Sequence, residues 1–198
     1  KEDVNEVLPG NDPNFTIISH SDQGFLSTNR KVSVFGVDIY AVPEVNDNKL
    51  LHAANVLGQF LDNNEDGNVD NHQVHNKMIE NKAFIIMWKD DNDLDIDPPY
   101  DRIGQDLGDD ETNPDFVINN REGQFDASLE EIWHIISHSG YAYAYPDVFG
   151  ENPGTSLTNA MDIARGGFFT EIPNSSDKLD VVEVTTFIIC VRSPDTTS

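Results

Sequence analysis

Two short stretches of this chain carry the residues best suited to chemistry. From 62 to 73 the sequence reads DNNEDGNVDNHQ, with side-chain oxygens at Asp62, Asn64, Asp66 and Asp70 and a glycine at position 67. Asp and Asn oxygens at alternating positions around a glycine turn suit a hard cation, which prefers oxygen ligands. From 130 to 138 it reads EEIWHIISH, which sets Glu130, His134 and His138 four apart and Glu131 beside them. On a helix, residues four apart share one face. A carboxylate and imidazoles on one face can share a proton or hold a metal ion.

The first stretch resembles an EF-hand loop, matching D-x-[DN]-x-[DN]-G. The resemblance implies Ca2+ held by the side chains of Asp62, Asn64 and Asp66, by the carbonyl of Asn68, and by Asp70 directly or through water. Val69 stands where the family pins the loop to the core. The twelfth position departs from the family, with Gln73 in place of a bidentate Glu. One neutral oxygen there implies weaker binding, on the order of 10⁻⁴ to 10⁻³ M, the range of extracellular modules. No second loop of this kind is evident, which argues against a paired calcium sensor.

The second stretch resembles the zinc-peptidase helix H-E-x-x-H, with Glu130 in the place of the first His. That resemblance implies Zn2+ on Glu130 and His134 with Glu131 as general base. An alternative takes His134 and His138 as the pair, with Glu130 or Glu131 as third ligand. Asp147, Glu151 and Asp162 are further ligand candidates, and Tyr141, Tyr143 or Tyr145 could serve an oxyanion. A buried Glu–His pair without metal is the competing expectation. Ser137 and Ser139 neighbour the histidines, but no G-x-S-x-G elbow accompanies them.

The elements that must position these residues follow from periodicity. Leu50, Leu51, Ala54, Leu57 and Leu61 give helical spacing over 46–61, with Asn46 or Asp47 as cap. A second, shorter helix is expected over 71–81, which places a helix on each side of the loop. His52, His72 and His75 stand on these helices and read as surface residues. FTIIS (15–19) reads as a short strand, KVSVFGVDIYAV (31–42) as a longer one and AFIIMW (83–88) as a buried one. Residues 89–124 read as a long acidic loop with a strand at DFVIN (115–119). Within it DDNDLDID (90–97) alternates four Asp, which suits either a second cation or a solvated loop. DASLEEIWHIISHSG (126–140) is expected to be a helix, capped by Asp126 and closed by Gly140. YAYAYPDVFG (141–150) reads as an aromatic loop that, with Phe168 and Phe169, could line an apolar site. A helix over 155–167 and a β-rich run over 179–191 complete the reading. The expected class is α+β, a single domain over 1–198 with a mixed or antiparallel sheet and several helices.

Composition narrows the function. Twelve Lys and Arg against 36 Asp and Glu give a formal net charge of −24 in 198 residues. Such a field repels nucleic acid and anionic membranes and attracts cations. The apolar runs are too short for a membrane span. Cys190 is the single cysteine, so no intrachain disulfide forms. The chain starts at Lys1 and carries sequons at Asn14 and Asn174. With its acidity, these point to a secreted glycoprotein. The expected function is an extracellular calcium-binding interaction module, with calcium mainly structural and with a protein or an apolar small molecule as partner. The alternatives are a zinc-dependent hydrolase or inactive metallopeptidase-like protein, and an acidic matrix or mineral-associated protein.

Overall fold

The computed structural model describes residues 15–89, 101–116 and 125–164. The strands are β1 (Ile18–Ser19), β2 (Arg30–Val34), β3 (Val37–Ala41), β4 (Phe84–Trp88) and β5 (Gly104–Gly108). They form one sheet in the order β1-β2-β3-β4-β5. The first two pairings are antiparallel and the last two parallel. The helices are α1 (Asp47–Leu61), α2 (His72–Glu80) and α3 (Ser128–Ile136). A π-helical turn (Ser137–Tyr141) follows α3. Then come α4 (Ala142–Ala144), α5 (Pro146–Phe149) and α6 (Ser156–Ala164). The class is therefore α+β with a mixed sheet. Among the described residues, no helix is long and apolar enough to cross a membrane.

The run at 31–42 is not one strand. It folds back as a hairpin at Phe35–Gly36, with φ of 48° and 85°. Positive φ at both loop residues is the conformation that matches the twist of the flanking strands. Gly36 adopts it freely, whereas Phe35 does so at a cost. The hairpin puts Val32, Val34, Val37, Ile39 and Ala41 into the main core. Leu50, Ala53, Ala54, Leu57 and Leu61 of α1 join them, as do Ile132, Ile135 and Ile136 of α3. Each large aliphatic side chain so buried contributes about 1.5–3 kcal/mol. The helix α1 starts where Asn46 accepts a hydrogen bond from the Asn48 N–H at 2.9 Å. Its N-terminus is tied to the sheet by Asp109, 2% exposed, which accepts from the Asn46 N–H at 3.0 Å and from Lys49 and Lys89.

The opposite sheet face carries a smaller apolar cluster of Phe25, Tyr40, Phe84 and Ile86. Arg102 lies 4.7–5.6 Å from the centres of the Phe25, Phe84 and Tyr40 rings. Strand β5 belongs to the stretch expected to be an irregular acidic loop. Its GQDLG sequence is poor in strand formers, but Gly104 leaves room for the Phe84 ring. A Cβ at 104 would stand 2.2 Å from Phe84 Cζ. Gly104→Ala is expected to destabilise the fold by about 1–3 kcal/mol through overpacking, read from the midpoint of urea unfolding.

Other expectations need correcting. Gly140 does not close the 126–140 helix, because the backbone continues through it as the π-helical turn. It is small so that α2 can approach, since a Cβ there would meet Val74 Cγ1 at 2.7 Å and Met78 Cγ at 3.0 Å. The aromatic stretch 141–149 is largely helical rather than a loop. The strand expected at 15–19 reduces to Ile18–Ser19. Of DFVIN, Asp115 sits in a turn and Phe116 is helical, its N–H donating to the Asn113 carbonyl at 3.0 Å, and the rest lies outside the described residues. So do Asn14, Asn174, residues 90–97, Phe168, Phe169, Cys190 and the run at 179–191.

Candidate functional site

The loop between α1 and α2 is built on the carboxylate of Asp62. Its Oδ2 accepts the Gly67 N–H at 2.8 Å and its Oδ1 accepts the Asp66 N–H at 3.1 Å. Gly67 has a φ of 84°, which lets its N–H turn inward. The Asn64 Oδ1 accepts the Asp66 N–H at 3.0 Å, and the Asp66 Oδ1 accepts the Asn68 N–H at 2.9 Å. Hydrogen bonds from the Asn68 side chain and then its backbone hold the Asp66 carboxyl below its ordinary range. Asp70 reaches back across the loop, with its Oδ2 on the Asn63 N–H at 2.9 Å. Val69 is buried and anchors the loop to the core. Gln73 is exposed on the first turn of α2.

These donors fit a hard cation by type: carboxylates at Asp62, Asp66 and Asp70, amide oxygens at Asn64 and Gln73, and the Asn68 carbonyl. Among the described residues, no three or more His, Cys, Asp or Glu are gathered into a group that could hold a metal ion. The carboxylates of the loop instead receive its backbone N–H groups.

Helix α3 separates its candidates into two pairings. His134 Nδ1 lies 3.2 Å from Glu131 Oε2, and His134 Nε2 lies 3.7 Å from Glu130 Oε1. Gln105, on β5, donates to the same Glu131 oxygen at 2.5 Å. His138 instead meets the Glu151 carboxylate through Nδ1. His138 lies in the π-helical turn that follows α3. Glu111 stands in the same charged neighbourhood. Its carboxyl is pushed up, first by burial and then by the charge of Glu131 among others, while the Gly108 N–H opposes this at 2.7 Å. The hydroxyls of Ser137 and Ser139 donate to the carbonyls of His134 (3.1 Å) and Ile135 (2.5 Å). Each is spent on the helix backbone, the usual employment of such residues mid-helix.

Three arrangements escaped the sequence. His52 is not a surface residue: it is 7% exposed, and its Nε2 lies 2.7 Å from Asp126 Oδ2. His75 reaches the Phe35 carbonyl of the hairpin at 2.7 Å, and only His72 of the three is exposed. An aromatic row runs Phe60–Trp133–Tyr141, with 5.6 Å between successive ring centres, and continues to Tyr145 at 6.2 Å. Trp133, Tyr141 and Tyr145 stand at helical spacing, a signal hidden by the expectation of a loop over 141–150, and the part of Phe60 could not be read locally.

Compared with known protein families, curated proteins and solved structures, the chain matches none.

Proposed function

We propose that this chain is a calcium-binding α+β protein whose ion sits in the loop 62–73. The observation that carries the reading is the closure of that loop around Asp62 by two backbone N–H groups, with Gly67 in the left-handed region and a helix on either side. Asp62, Asn64 and Asp66 would hold the ion by their side chains, Asn68 by its carbonyl, Asp70 directly or through water, and Gln73 by one amide oxygen. The ion supplies positive charge where an acidic chain needs it and clamps α1 to α2. With Gln73 at the last position the site is tuned to calcium-rich surroundings, which accords with a secreted interaction module that takes a protein or an apolar ligand. Titration calorimetry on chelator-treated protein tests this. One calcium per chain is expected, and at about a 100-fold excess over Kd it should stabilise the fold by about 2.7 kcal/mol. No heat and no thermal shift would end the reading.

A second reading, a zinc-dependent hydrolase, draws on one observation: Glu131 is oriented from two sides by Gln105 and His134. Glu130, His134 and His138 would then be the candidate protein ligands. Glu131→Gln separates the readings. An amide oxygen can still accept from Gln105, so stability should change by no more than about 1 kcal/mol. A hydrolase using Glu131 as base would lose about 10²- to 10⁴-fold in rate. Zinc content by elemental analysis of the untreated protein is the companion measurement.

A further inference from the structure

We infer that the loop 62–73 and the aromatic segment 141–149 are one coupled unit, in which an ion in the loop steadies the segment through Asn71 and Tyr145. The inference rests on reading that loop as a calcium site.

Asn71 ends the loop and begins α2, where its Oδ1 accepts the Val74 N–H at 3.2 Å. The same side chain exchanges hydrogen bonds with the Tyr145 hydroxyl. Its Nδ2 donates to Tyr145 Oη at 3.3 Å, and Oη lies 3.4 Å from its Oδ1. Tyr145 is 74 residues away in sequence, so this contact is tertiary. The ring of Tyr145 rests on Tyr141 and Phe149, with centres 6.2 and 6.4 Å apart. Tyr141 leans on Trp133, and Trp133 on Phe60. Phe60 belongs to the last turn of α1, two residues before Asp62. The chain of contacts therefore leaves the loop through Asn71 and returns to it through Phe60. It joins the end of α1 to the start of α2, the two helix ends that flank the loop.

A second contact runs beside the first. Gly140 of the π-helical turn lies against Val74 and Met78 of α2 so closely that a Cβ would not fit. A shift of α2 therefore carries the turn with it, and the turn bears His138 and leads into the aromatic segment. An ion that fixes Asp70 and Gln73 on either side of Asn71 then favours the joined state of Asn71 and Tyr145 by as much as it binds that state more tightly than one in which they are apart. By linkage, whatever joins them raises the affinity for the ion by the same factor.

The test uses the full chain, stripped by a chelator, with the calcium ion alone as probe. Calorimetry reads binding, and hydrogen exchange with and without calcium reads residues 137–149. In the wild type, calcium should bind and slow exchange across 137–149. Tyr145→Phe keeps the ring and removes the hydroxyl. It should weaken calcium by roughly two- to tenfold, the worth of one neutral hydrogen bond, and lose most of the added protection in the segment. Equal calcium affinity in the two proteins, with exchange in 137–149 indifferent to calcium, overturns the coupling and leaves the calcium site standing. No binding heat in the wild type overturns both. Should the variant fail to fold, the wild-type exchange comparison decides alone: protection supports the coupling and its absence refutes it.

Discussion

Asp62→Ala is expected to abolish calcium binding at the loop, weakening it by at least about 100-fold. Residues that only orient a metal ligand already cost about 10- to 100-fold when removed, and Asp62 does more than orient. Its carboxylate would be a direct ligand, and it is the acceptor for the Asp66 and Gly67 N–H groups at 3.1 and 2.8 Å. Truncation leaves those donors to water and releases the turn that brings Asn64 and Asp66 inward. Without calcium the variant should lose about 1–3 kcal/mol, because Asp62 is 8% exposed and its truncation leaves part-buried N–H donors without their acceptor. With calcium the wild type gains stability and the variant does not, so the gap between them widens. Gln73→Glu should act in the opposite direction. It restores a charged, bidentate group at the end of the loop, and affinity rises with the number of charged ligands. Thermal melts of the three proteins with and without calcium check both arms. A wild-type-sized calcium shift in Asp62→Ala would show that the ion binds elsewhere on this acidic surface.

The legible parts of this fold were those whose information is local. The apolar spacing of Leu50, Leu57 and Leu61 marks α1, and the continuous run at 84–88 marks β4. The glycine at 67, five residues after Asp62, marks the loop. The hairpin was hidden because Val and Ile on both sides of Phe35–Gly36 make an unbroken strand pattern. Only the Gly36 inside it signalled a turn. β5 was hidden for a different reason. Its residues are not chosen for strand propensity; Gly104 is required by the Phe84 ring on the neighbouring strand, and Gln105 by Glu131 on α3. Tertiary need overrode local preference there.

The helix 126–140 was legible as a helix and not as a site. Four-residue spacing places Glu130, His134 and His138 in one row only while the backbone stays α-helical. A π-helical turn leaves no mark in apolar periodicity over five residues, and the pairing of His138 with Glu151, thirteen residues on, follows no helical spacing. His52 and Asp126 are 74 residues apart, and no spacing rule joins them. What the sequence showed was chemistry along single elements. What it withheld was the meeting of side chains from different ones.

That meeting is nowhere more consequential than at Asp126, the subject of the second large effect. Asp126 is 1% exposed and accepts from four donors. His52 Nε2 lies at 2.7 Å, Ser128 Oγ at 2.7 Å, the Asn113 N–H at 3.1 Å and the Ser128 N–H at 3.3 Å. It thereby pins the start of α3 to α1 and to the turn after β5. Burial by itself would raise its carboxyl, but the hydrogen bonds from His52, Ser128 and Asn113 outweigh it and hold the carboxyl below its ordinary value. Asp126→Ala strips the acceptor from all four donors and is expected to cost about 3–5 kcal/mol, as breaking a buried pair does. His52→Leu removes one donor, leaves the carboxylate with three and fills part of the space, so about 1–2 kcal/mol is expected. The inequality between the two variants identifies the carboxylate, not the imidazole, as the centre of the network. The acid side of the stability profile reads it independently. Because the folded carboxyl is depressed, its contribution is complete above the ordinary carboxylate range and is lost as pH falls through its lower folded value. In Asp126→Asn that part of the acid slope should vanish, while the rest of the profile, set by the other carboxylates, remains. Urea unfolding from pH 7 down to pH 3 measures both. A slope unchanged in Asp126→Asn would mean that the carboxylate is no better held in the folded chain than in the unfolded one.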